Sequence, residues 1–248
     1  MIPSQDETKP KIIVGVPGRW KDQSDLVMSI AQKSSGYLFA GRVMMHPGTK
    51  EAWEVSVQGH DPGITRSFEV AGRGRVSETL LHEIAGHSMV AYLIGEGGSQ
   101  ELARSTMHAT AALLDSGGLA AKVETAGVAH TPDDWRALTV AEPATALYYA
   151  YVQLVGGNGQ FYSCGMQNLG LSDALVDGNT TPQEAGLLLQ TFLLFTLLEN
   201  PILNDGETFS VDADSPHYVL HHQPCTLNPG TKEFHNPYGL WVLQRKER

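Results

Sequence analysis

The sequence predicts an α+β fold: a mixed, mainly antiparallel sheet or pair of sheets with helices packed against it. Three observations lead there. A strand-turn-helix-strand grammar occurs twice, over about residues 11-75 and 87-166, and each such unit needs a crossover to bring its strands into register. Short apolar runs elsewhere are joined by tight turns such as Gly156-Gly157-Asn158-Gly159, and strands joined that way pair antiparallel. A long apolar segment, Gly186 to Leu198, carries the start and stop signals of a helix.

Taken in order, Ile12 to Val16 is an apolar run closed by Pro17-Gly18 and reads as a strand. Trp20 to Ser34 sets Leu26, Val27, Ile30 and Ala31 at helical spacing, and Gly36 stops that helix before Tyr37 to Met45 returns as a strand. Strands are expected at Glu54 to Val57 and Arg66 to Val70, followed by a short helix from Ser77 to Ala85 that ends at Gly86. The second unit opens with a strand from Ser88 to Ile94 and turns at Gly95-Glu96-Gly97-Gly98-Ser99. An amphipathic helix from Gln100 to Asp115 follows, and Ala120 to Val128 returns as a strand. Tyr148 to Val155, Gln160 to Met166, Thr208 to Val211, Tyr218 to His222 and Leu240 to Leu243 read as further strands. Thr181-Pro182-Gln183-Glu184 supplies a cap, a first-position proline and a capping-box acid for the apolar helix, and Glu199-Asn200-Pro201 ends it. Apolar on most faces, that C-terminal helix is expected at the centre of the fold.

The two units share more than their grammar. Gly41-Arg42-Val43, His46-Pro47 and Trp53 in one correspond to Ala121-Lys122-Val123, His130-Thr131-Pro132 and Trp135 in the other. A duplication predicts equivalent places for Trp53 and Trp135. It also predicts that His46 and His130 flank a cleft between the halves, the usual position of a small-molecule site.

With 248 residues, 42% apolar and 18% charged, the chain can bury a full core and is expected to form one compact domain, with the C-terminal helix and strands at 181-243 completing it. Asp plus Glu outnumber Lys plus Arg by 27 to 17, a formal net charge of -10, which argues against nucleic acid or an anionic membrane as partner and in favour of a basic protein. The apolar helix segment of 13 residues is shorter than the roughly 20 that a bilayer needs. Two cysteines and a start without a basic or apolar leader segment make the cytoplasm the expected compartment.

Candidate chemistry is sparse. His82-Glu83-Ile84-Ala85-Gly86-His87 places a glutamate between two histidines, the elements of a zinc hydrolase with Glu83 as base and His82 and His87 as ligands. In the usual zinc helix the histidines are four apart; five residues turn a helix through about 500° and leave the side chains roughly 140° apart. Dipeptidyl peptidase III carries the longer spacing as HELLGH with a downstream acidic motif, and Glu101-Leu102-Ala103-Arg104 lacks the full pattern. His217, His221, His222 and Cys225 have the right atoms for a metal. On a strand, however, His217 and His221 lie about 13 Å apart while His221 and His222 face opposite ways, so outside ligands such as His235 would be required. The Gly95 to Ser99 turn has the place of a phosphate cradle but carries Glu96 and no Walker lysine. Cys164 reads as a packed thiol, and Tyr148, Tyr149, Tyr151, Phe161 and Tyr162 as core rather than base-stacking aromatics.

Five stretches together resemble a bacterial family described as domain of unknown function 4261. They are Val16 to Trp20, Ala121 to His130 with Trp135, Cys164-Gly165-Met166 with Leu169-Gly170-Leu171, Asp205 to Phe209, and Asn236 to Trp241. The resemblance runs over nearly the whole chain and implies an immunity or accessory factor of a toxin or secretion system. The expectation is therefore a non-enzymatic protein-binding protein without a cofactor, and the alternative is the zinc hydrolase centred on His82, Glu83 and His87.

Overall fold

In the computed structural model, which describes residues 9–157, 159–177, 180–227 and 230–246, strand β1 (Lys11–Gly18) is the axis of the first sheet. Its alternation is nearly erased because both faces are covered, and six of its eight residues are buried. The other strands here are β2 (Leu38–Ala40), β3 (Val43–His46), β4 (Glu51–Gly59), β5 (Met89–Glu96), β6 (Ala121–Val123) and β7 (Val128–His130). They lie in the order β2-β3-β4-β5-β1-β6-β7, all antiparallel.

That order interlocks the two expected units. β1 pairs with β5 from Lys11 opposite Glu96 to Gly18 opposite Met89, β4 lies beyond β5, and β6 lies beyond β1. Hence β4 runs parallel to β1 with β5 between them, and β6 runs parallel to β5 with β1 between them. Each unit is split by the first strand of the other, so neither can bury its helix alone. The returning segments are not single strands. Tyr37 to Met45 folds into the β2-β3 hairpin, and Ala120 to Val128 gives way to the β6-β7 hairpin.

Helices α1 (Gln23–Lys33) and α4 (Gln100–Asp115) pack together on one face of this sheet; α2 (Ile64–Gly72) and α3 (Glu78–Ala85) form a smaller core on the other, around Ile64, Phe68, Ile84 and Val90. The expected strand at Arg66 to Val70 is thus the middle of α2. Ile64, Phe68 and Ala71 recur at helical spacing, and burying that stripe outweighs the strand preference of Phe68 and Val70.

Helix α5 (Pro132–Val140) and helix α6 (Pro143–Tyr151) lead to a second sheet of β8 (Gln153–Gly157), β9 (Gln160–Cys164), β10 (Asp173–Asp177), β11 (Thr208–Phe209), β12 (Tyr218–Gln223) and β13 (Leu240–Arg245). Its order is β11-β12-β13-β10-β9-β8, antiparallel except for β10 beside β13. The described residues therefore form an α+β fold of seven helices and two mainly antiparallel sheets. The expected strand at Tyr148 to Val155 begins only at Gln153, and Tyr148 to Tyr151 close α6. Asn158, in the expected turn between β8 and β9, lies outside the described residues.

Helix α7 (Pro182–Glu199) starts on the expected capping box, with Thr181 and Glu184 bonding reciprocally. It is not at the centre. It lies over β8, β9 and β10 with Leu187 57% and Leu198 52% exposed. The central helix is α4, which touches α1, α5, α6 and the first sheet. Its buried side combines Ala103, Thr106, Ala109, Thr110 and Ala112, small residues that let neighbours approach from several directions, with the larger Met107, Leu113 and Leu114. Three indoles fasten it: Trp20 donates to the Ser116 carbonyl at 2.7 Å, Trp53 to the Thr106 hydroxyl at 3.1 Å, and Trp135 to the Met107 carbonyl at 3.0 Å. Trp53 stands on strand β4 and Trp135 in helix α5, so the expected equivalence of the two is not met. What they share is the helix they hold. Among the described residues no helix is long and apolar enough to cross a membrane.

Candidate functional site

A cavity of about 430 Å³ opens between the β3-β4 turn, the outer face of α4 and the start of α6. The turn His46-Pro47-Gly48-Thr49 places its histidine firmly. The Thr49 N–H donates to His46 Nδ1 at 3.2 Å and the Lys50 N–H to the His46 carbonyl at 2.8 Å. A backbone N–H can only donate, so Nδ1 is an acceptor and the neutral ring carries its proton on Nε2. Tyr37 meets this ring edge-on at 4.9 Å, and Gly36, at φ +106°, leaves the space that the ring occupies: a Cβ there would lie 3.3 Å from Nε2.

Glu51, at the start of β4, is half-buried in the cavity. The Ser105 and Thr49 hydroxyls hold its carboxylate below the ordinary range by hydrogen bonding, helped by His46 and His108. Across from it α4 presents Gln100, Arg104 and His108 four residues apart on one face. Burial, with the Arg104 guanidinium adding to it, pushes His108 below its ordinary value and favours a neutral ring. Tyr37 is pushed up to about 12 by burial and by Glu51, so its phenol stays protonated. Pro143 and Leu147 supply an apolar wall.

Of the residues expected to flank a cleft, His46 lines this cavity and Trp53 lies beneath it, 5.9 Å from Tyr37. His130 and Trp135 are elsewhere. His130 is buried, donates Nε2–H to the Ala150 carbonyl at 3.1 Å, and packs edge-on against Trp135 at 5.2 Å. The physical reason is that α5 and α6 follow β7 directly and pack over it, whereas the β3-β4 turn is separated from α4 and α6 by the cavity. Tyr37, Glu51, Arg104, Ser105 and His108 were not legible as a site. The four-residue spacing of Gln100, Arg104 and His108 marked a polar helix face, but nothing local said that Glu51 faces it.

The zinc alternative does not fit its residues. His82 and Glu83 are exposed on α3, while His87 is 3% exposed beyond the helix end. His87 Nδ1 donates to the Ile84 carbonyl at 2.8 Å, its Nε2 accepts the Asp61 N–H at 3.0 Å, and the ring stacks on His60 at 4.5 Å. Both nitrogens are engaged, leaving His87 no lone pair for a metal. Among the described residues no three His, Cys, Asp or Glu side chains converge as a metal-holding group.

The second histidine cluster is also dispersed. His221 Nδ1 is 3.6 Å from Asp205, whereas His222 points the other way, toward Ser172. That Ser172-His222 contact, at 3.2 Å beside a recess of about 360 Å³ next to Trp241, has the separation of a nucleophile and its base. Its polarity is wrong. Ser172 Oγ donates to the Tyr238 carbonyl at 2.7 Å, and His222 Nε2 lies 3.0 Å from the same carbonyl, which requires Nε2 to carry the proton. Cys164 is buried, and burial pushes its thiol up, away from the reactive thiolate. At the Gly95 to Ser99 turn, Gly97 and Gly98 donate to the Pro10 and Asn168 carbonyls, so those amides are spent inside the protein rather than offered to phosphate.

At the start of β10, in the second sheet, stands a buried acid. Asp173 accepts from Ser163 at 2.7 Å, Asn236 at 2.7 Å and the Met166 N–H at 3.3 Å; burial nonetheless raises it to about 6. Asn236 belongs to the Asn236 to Trp241 stretch and Met166 to the Cys164 to Met166 stretch, so this network ties together two of the segments that carry the family resemblance.

Residues 162–233 match the family described as Domain of unknown function (DUF4261). That stretch is similar to this family. The match spans β9, β10, α7, β11 and β12 and holds two of the five stretches read from the sequence, Cys164 to Leu171 and Asp205 to Phe209. No curated protein and no solved structure matches the chain.

Proposed function

We propose that this protein is a non-enzymatic binding protein that docks a basic protein partner on the outer ridge of α7, as an immunity or accessory factor would. The observation that carries the reading is the ridge itself. Leu187 and Leu198 are 57% and 52% exposed on a helix that runs through the family-matched segment, and Ile202 just beyond is 91% exposed. Two large aliphatic side chains left to solvent on one helix, with a third just beyond it, mark an association surface more often than a free one. Glu184 and Glu199 stand at the two ends of the helix, and the chain carries a net charge of -10, which would steer a cationic partner toward it. The inverted polarity of the Ser172-His222 contact and the engaged nitrogens of His87 support the non-enzymatic part.

The test is retention of a partner from the native host by the tagged chain at low salt. The parent protein is expected to hold one partner stoichiometrically and to lose it as salt rises; the Leu187→Asp/Leu198→Asp variant is expected to retain about tenfold less while keeping its circular dichroism spectrum. No stoichiometric partner, or equal retention by the variant, overturns the reading.

A further inference from the structure

Several basic side chains of the first half find a carboxylate: Arg42 sits on Glu54, Arg66 on Glu69 at 2.7 Å, Lys122 on Glu124 and Arg136 on Asp115 at 2.9 Å. The cavity between β4 and α4 holds opposite charges in another arrangement. It contains both Glu51 and Arg104, yet among the described residues neither is in an ion pair. The Ser105 and Thr49 hydroxyls lower the Glu51 carboxylate, and as neutral groups they do so without neutralising it. Arg104 projects from the next turn of the same helix face as His108, with its guanidinium exposed to the cavity mouth. Opposite charges kept apart in one partly apolar recess form two half-sites of unlike sign.

We propose that this cavity binds a free α-amino acid, its ammonium on Glu51, its carboxylate on Arg104 and its side chain against Leu147. A simple cation would meet Glu51 but lie beside an unpaired guanidinium, and a simple anion would meet Arg104 but lie beside an unpaired carboxylate. A zwitterion satisfies both and adds no net charge to the recess. Arg offers a planar two-donor fork suited to a carboxylate, and Glu51 retains acceptor capacity beyond its two hydroxyl donors. The volume of about 430 Å³ lies within the range of small-molecule sites, and the Tyr37 and Leu147 walls lower the local dielectric, which strengthens both contacts. The site is independent of the α7 ridge.

Isothermal titration calorimetry on the full chain tests it, with L-leucine and the other common L-amino acids in turn, and with isoamylamine and isovalerate as the leucine analogues that each lack one charge. The expected result is binding of at least one amino acid with Kd below about 1 mM, with its amine and acid analogues weaker by about tenfold or more. Glu51→Gln and Arg104→Gln should each weaken that amino acid by about tenfold or more, while His82→Ala, distant on α3, should leave it unchanged. Failure of every amino acid to bind at roughly 10 mM overturns the proposal. So does an amine that binds as well as its amino acid, or an Arg104→Gln variant with unchanged affinity, either of which would make the recess a plain cation site.

Discussion

Each sheet carries a buried side chain that folding drives toward its neutral form, His130 on β7 of the first and Asp173 on β10 of the second, and the two are driven from opposite directions. His130 is pushed down from 6.5 to about 4, and Asp173 is pushed up from 3.8 to about 6. Burial is the largest cause in both, because a low-dielectric surrounding penalises charge of either sign. Their partners differ. His130 donates to the Ala150 carbonyl, a contact that a neutral ring makes fully; Asp173 is surrounded by donors from Ser163, Asn236 and Met166 that hold it back toward the carboxylate. Glu51 shows the other outcome: also bonded by hydroxyls, but open to the cavity, it is lowered rather than raised. Solvent access, more than the donor set, decides the sign.

The largest expected effects follow from the two buried groups and oppose each other. In unfolding titrations with urea, His130 costs the native state stability as pH falls from about 6.5 to 4, since the unfolded chain takes up the proton first. The loss is about 3 kcal/mol, and His130→Phe should remove it. Asp173 acts in the reverse sense. Its contribution is complete below about 3.8 and lost as pH rises to about 6, because the folded state keeps its proton longer, again by about 3 kcal/mol. The parent protein should therefore show little net change between pH 6 and 4 from these two groups. Asp173→Asn should lose stability steeply on acidification and His130→Phe should gain it; parallel slopes in the two variants would break the comparison.

Next in size, Gly165→Ala should destabilise by more than about 2 kcal/mol. Gly165 sits at φ +120° between the Ser163-Cys164 end of β9 and the Met166 turn, and a Cβ there would run into the Tyr151 carbonyl oxygen. Because that turn presents the Met166 N–H to Asp173, the variant should also shift the Asp173 transition, and an unmoved transition would place the network's control elsewhere. The smallest expected effect sharpens the assignment of His130. Trp135→Phe removes the indole bond to Met107 and should cost about 1 kcal/mol while preserving the acid-side slope, since the histidine keeps Ala150.

Particular elements show how far local information reaches. Gln100 to Asp115 was readable as a helix to its terminal residues, with Ser99 accepting the Leu102 N–H as its cap, and the Thr181-Glu184 box marked the start of α7. The tyrosines of α6 carry a strand signal. Pro143 at the first helical position, with Glu142 accepting the Ala144 and Thr145 N–H groups, outweighs them. β10 is not legible in the sequence because it is buried beside β13, a parallel partner more than sixty residues away, and a short buried strand has no alternation to read.

The sequence by itself determined the element types where caps and periodicity agreed, the α+β class, the acidic balance and the incompleteness of the zinc pattern around His82 and His87. These are local or compositional properties, set by backbone sterics and residue spacing. Only the tertiary structure decided that α4 rather than α7 is central, that His46 faces a cavity while His130 is sealed beneath α5 and α6, and that Glu51 and Arg104 share one recess without pairing. The reason is the interlocked strand order. Placing β5 between β4 and β1 brings residues some fifty positions apart onto facing surfaces, and which surface a polar stripe will face is a property of that order rather than of the stripe.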